Sequence, residues 1–66
     1  MKANHIATLI DLAADACMRG EIALEFYEEL NAALWEVAAQ KDLREDVHNI
    51  LQAVAEGEFD LATGST

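Results

Sequence analysis

Glu45 and His48 form a Glu-x-x-His pair, the spacing with which helix-bundle di-metal sites present two ligands from one helix. Such a site needs further carboxylates from neighbouring helices, all aimed into the bundle. Here the pair falls on the side of its helix away from Leu43, Val47, Ile50 and Val54, which leaves a metal-dependent helical-bundle enzyme as a remote alternative. Cys17 lies on an apolar helical face with no histidine spaced to activate it, so it reads as a small hydrophobe. His5 has no sequence partner. The chain offers no nucleophile–base pair and no glycine-rich phosphate loop, and it is too short to enclose a substrate pocket. Neither catalysis nor a cofactor or metal is expected.

The glutamates say more. Glu21, Glu25, Glu28, Glu29 and Glu36 recur at helical spacing of about 3.6 residues per turn and therefore share a face. Glu21–Glu25 and Glu25–Glu29 are like-charge pairs at i,i+4, each costing a helix a few tenths of a kcal/mol. No lysine or arginine is interspersed to relieve them. The chemistry such a face can do is electrostatic: it docks on a basic partner, or it is a coat that keeps the chain dissolved. Beside it a ridge of Leu24, Glu28, Asn31 and Trp35 runs at i, i+4, i+7, i+11 spacing, with Tyr27 next to it. Trp and Tyr are common interface anchors, so these residues complete the expected partner-binding set. The competing role for Trp35 is to cover the third helix or a dimer seam. Carboxylates on one helix recur only about every 5–6 Å, whereas duplex DNA carries a charge per roughly 1.7 Å of axis. Imitation of nucleic acid by one stripe is therefore partial at best.

Three helices are needed to position these groups. Proline is absent, alanine abundant, and glycine occurs only at positions 20, 57 and 64. The first helix is predicted over about 4–19, with Asn4 as N-cap and Gly20 just past its end. Its buried face is read as Ile6, Leu9, Ile10, Ala13, Ala16 and Cys17. The second is predicted over about 21–40, with Ala23, Phe26, Leu30, Ala33, Leu34 and Val37 facing inward. The third is predicted over about 43–56, capped by Asp42 with Glu45 three residues on, and stopped by Gly57. Leu43, Val47, Ile50, Leu51 and Val54 form its inner face. The apolar stripe changes helical phase between Val37 and Leu43, which places a break near 40–42. The expected fold is all-α: a small antiparallel three-helix bundle within 1–57, followed by a short tail, 58–66, whose Phe59 and Leu61 fold back on the helices.

Sixty-six residues is near the lower limit for a domain folding alone. A lone cysteine cannot form an internal disulfide, so helix packing and homodimerisation are left as sources of stability, and a homodimer is expected. With 13 acidic residues against 4 basic, a net charge of −9, direct binding to nucleic acid or anionic membrane is disfavoured. Apolar runs are far shorter than the roughly 20 residues a membrane helix needs, and Asp11 and Asp15 interrupt any leader-like stretch, so a cytoplasmic protein is expected.

The functional expectation is a small acidic binding module, a stoichiometric inhibitor or adaptor that docks on a basic surface of a larger protein. That larger protein could itself be nucleic-acid-binding. Phage-encoded inhibitors of host defence or regulation, anti-CRISPR proteins among them, share this size and charge; no motif carries the analogy. The alternative is a self-assembling structural or regulatory homo-oligomer without catalytic role.

Overall fold

A computed structural model describes residues 2–58. It contains three α-helices, α1 (Ala3–Met18), α2 (Leu24–Gln40) and α3 (Arg44–Ala55), and no strand among the described residues. The chain is an all-α three-helix bundle, as its composition and periodicity require. The tail residues Phe59 and Leu61 lie outside the described residues.

α1 is the centre of the arrangement: it packs extensively on both α2 and α3, while those two touch each other much less. The core is correspondingly small. Ile6, Ala7, Ile10, Leu34, Ala38 and Val47 form one buried cluster, and Ala13 is buried beside it. Only Ile6 and Val47 are large side chains with essentially no exposure. The buried alanines lack the bulk that holds helix axes apart, so the helices can approach closely. Leu30, Trp35, Val37, Leu43, Ile50 and Leu51 close over the cluster.

All three helices end in the same way. Past α1, the Gly20 N–H donates to the Cys17 carbonyl (3.0 Å) and the Glu21 N–H to that of Ala16 (2.9 Å). Past α3, the Gly57 N–H donates to Val54 (3.0 Å) and the Glu58 N–H to Ala53 (2.8 Å). These are Schellman closures, with the glycines at φ 75° and 78°, backbone that L side chains resist. Past α2 the same pair of bonds runs from Asp42 to Ala39 (3.1 Å) and from Leu43 to Ala38 (2.7 Å). Here the left-handed residue is Asp42, at φ 57°. Asp42 is therefore the stop of α2, where the sequence suggested the cap of α3. The N-cap of α3 is Leu43, and no side-chain cap bond is made.

The starts are bare. Lys2, Ala23 and Leu43 are the N-caps, and none offers a side-chain acceptor to the first turn. Asn4 does not cap α1 as expected. The N–H groups of His5 and Ile6 already bond to the Lys2 carbonyl, so the helix begins at Ala3. Asn4 is inside the first turn, and its carbonyl accepts the Thr8 hydroxyl at 2.7 Å.

Two faces are also rotated from expectation. On α1, Ala7 is buried and Leu9 is exposed. On α2 the inward side is Leu34 and Ala38, flanked by half-buried Tyr27, Leu30, Asn31 and Trp35, while Ala23, Phe26 and Ala33 face solvent. At 100° per residue this is a turn of about 80° from the predicted face. Apolar residues occupy more than half of the α2 circumference, so periodicity alone does not choose among them. Turning Tyr27, Trp35 and Ala38 inward covers more apolar area than turning Ala23, Phe26 and Ala33 inward. The inner face of α3 is as read: Val47 is completely buried and Leu43, Ile50, Leu51 and Val54 are half-buried.

Candidate functional site

The rotation of α2 decides what its outer face presents. Glu25, Glu29 and Glu36 lie on the side opposite Leu34 and Ala38, Glu28 lies at the edge of that side next to Trp35, and all four are exposed. Among the described residues, no basic group stands within ion-pair distance of any of them. Glu21 does not belong to the stripe as expected. It precedes α2 by three residues, in the bend that follows Gly20, and its carboxylate is 3.4 Å from the Arg19 guanidinium. The same guanidinium also holds Asp15 at 3.1 Å. Arg19 thus pairs with both acids at the α1–α2 turn, and the four glutamates on α2 have no such partner among the described residues.

The expected ridge beside the stripe divides. Leu24 and Glu28 are exposed, Leu24 at 60%. Tyr27, Asn31 and Trp35 are half-buried, and Trp35 packs on the core cluster, so its main area is spent on the fold. The apolar group that periodicity missed is Phe26, 54% exposed. On a helical projection Leu24 borders the carboxylates on one side and Phe26 on the other. In the first two turns of α2 the unpaired Glu25, Glu28 and Glu29 are therefore flanked by two apolar side chains, and Glu36 lies two turns further on. In sequence Phe26 is one of several equivalent apolar positions, and the structure turns it outward.

The remaining edge of Trp35 faces a shallow open depression of about 530 Å³, lined also by Arg44, Glu45 and His48. Glu45 and His48 are both exposed on α3. Among the described residues no three His, Cys, Asp or Glu side chains come close enough to hold a metal ion. Cys17 is a free, half-buried thiol on α1, and His5 is exposed near the start of that helix. Neither is brought to the depression's lining. Among the described residues, no helix is long and apolar enough to cross a membrane.

What the outer face of α2 can do is attract and hold a cation-rich surface. Carboxylates on a helix accept hydrogen bonds from guanidinium and ammonium groups, and exposed Leu24 and Phe26 offer area that water leaves on contact. Compared with known proteins, the chain matches no family model, no curated protein and no solved structure.

Proposed function

We infer that the chain is a non-catalytic, acidic binding module that docks through the outer face of α2 on a basic surface of a larger protein, acting as a stoichiometric inhibitor or adaptor. The observation that supports this reading is the set of four exposed, unpaired glutamates on α2, three of them flanked by exposed Leu24 and Phe26. The carboxylates speed encounter and set orientation, and Leu24 and Phe26 supply desolvated contact that slows release. Trp35 contributes at most its open edge. The reading takes the helices as an antiparallel bundle working in the cytoplasm as a homodimer. Phage-encoded inhibitors of host proteins are the kind of molecule this size and charge suggest.

The test is retention of a partner from host extract by the wild-type chain and by a Glu25→Lys/Glu28→Lys variant, repeated over rising salt. Because both positions are exposed, the variant keeps its helicity by circular dichroism. It loses the partner, with an association rate at least about tenfold lower at low salt. A partner held equally by both chains, with no dependence on salt, overturns the reading.

The second reading, a self-assembling homo-oligomer, is favoured by a different observation: Leu9 and Leu12 are exposed on α1, away from the acidic face. The two readings are compatible if association uses α1 and leaves α2 free.

A further inference from the structure

We propose that the chain pairs with a second copy of itself through one stripe of α1, formed by His5, Leu9, Leu12 and Ala16. This rests on the homodimeric reading above and names the surface that pairing uses. Leu9 is 40% and Leu12 56% exposed, His5 is exposed and Ala16 is half-buried. Steps of four, three and four residues are those of a coiled-coil seam, in which two helices meet along alternating positions. α1 already carries α2 and α3 on its buried side. Its remaining side is where a further helix fits.

Charge selects the occupant. Two chains of net charge −9 repel, so they can meet only where carboxylates do not face each other. The outer face of α2 fails that condition, with Glu25, Glu28, Glu29 and Glu36 exposed on it. The start of α3 fails it as well, with Glu45 and Asp46 exposed there. The α1 stripe contains no acidic residue. Its nearest carboxylate in helical phase is Asp15, one turn from Leu12, and Asp15 is held by Arg19 at 3.1 Å. Asp11 lies about 100° round the helix from Leu12. A basic partner gains nothing from this stripe, whereas a second acidic chain finds here the surface that repels it least. Two α1 helices related by a two-fold axis then place each Leu9 against the other copy's Leu12, with each His5 against the other copy's Ala16.

One helix pair is a modest interface. α1 is about 24 Å long, and stable protein pairs usually bury about 800 Å² on each partner. The association is therefore a concentration-dependent monomer–dimer equilibrium. Added salt screens the repulsion between copies and tightens it, the opposite of the salt response of a basic partner on α2.

Sedimentation equilibrium of the full chain, over a range of concentration reaching about 1 mM, tests this in low and high salt. The wild type is expected to shift from monomer to dimer, at lower concentration in high salt. Leu12→Glu and the milder Leu12→Gln are each expected to move the midpoint at least tenfold upward with helicity unchanged. Phe26→Glu, on the acidic face, is expected to leave it in place. A wild type that stays monomeric throughout overturns the homodimer and the seam together. A wild-type dimer indifferent to both Leu12 variants, or abolished by Phe26→Glu, overturns the seam alone. Loss of helicity in both Leu12 variants also overturns it, because Leu12 would then belong to the fold and not to a free surface.

Discussion

Asp42 offers a substitution whose sign depends on which helix owns the residue. At φ 57° it occupies left-handed backbone, and its N–H closes the end of α2 on the Ala39 carbonyl. Left-handed backbone costs an L residue about 1–2 kcal/mol, with Asp at the low end because its short side chain bonds locally. Glycine removes that strain and loses about 0.5–1 kcal/mol through the greater freedom of its unfolded chain. The net expectation for Asp42→Gly is a gain of about 0–0.5 kcal/mol, reaching about 1 kcal/mol if the strain is at the upper end. At about 4–8 °C per kcal/mol for a domain of this size, the midpoint rises by up to about 8 °C. If Asp42 instead capped α3, glycine would cost a few tenths of a kcal/mol and the midpoint would fall. Asp42→Asn separates strain from charge: it tolerates the left-handed position equally well and should stay within about 0.5 kcal/mol of wild type. Thermal and urea denaturation followed at 222 nm, at one fixed protein concentration so that self-association does not shift the midpoint, reads both variants. A midpoint for Asp42→Gly below that of wild type would refute the assignment of Asp42 to the end of α2.

Two further outcomes follow from the core and the helix starts. Ala23 has the extended backbone of an N-cap (φ −71°, ψ 150°), is exposed and lacks a side-chain acceptor, so Ala23→Ser should stabilise by about 1 kcal/mol. The same change at exposed Ala32, inside α2, should destabilise by about 0.5 kcal/mol, and urea midpoints of the pair check the contrast. Ile6→Ala removes one of the two large completely buried side chains and should cost about 2–5 kcal/mol. A single core of this length rarely supplies more than about 3–5 kcal/mol, so most of its helical signal should be lost at 25 °C.

The helical architecture was legible because its signals are local and strong. Gly20 and Gly57 mark two helix ends at the residues where left-handed backbone occurs, and the phase change between Val37 and Leu43 locates the third. The inner face of α3 was legible too, since its apolar residues fall on one side only. Asp42 is ambiguous in sequence because Asp is favoured at an N-cap and tolerated in a left-handed stop. Only backbone geometry separates the two uses. The inner face of α2 is ambiguous in sequence for another reason. Its apolar residues nearly encircle the helix, and which of them turn inward depends on the shape of α1, which periodicity does not encode. The same ambiguity reaches the site, where Trp35 and Phe26 exchange the roles expected of them. Glu25, Glu28, Glu29 and Glu36 stay outside under either choice of face. Glu21 does not join them, since the pairing with Arg19 depends on how the turn folds.

The chain secures its helices at one end only. Each trailing end is locked by two backbone bonds, while each leading end presents N–H groups that no side chain receives. Amide exchange should therefore run with a direction, fastest in the first turn of every helix and slowest towards the middle. In α2 that loose first turn carries Leu24, Glu25 and Phe26, so the docking surface proposed above begins on backbone that opens readily. A companion that grips it must also quiet that fraying, and protection gained at these three amides would be its footprint.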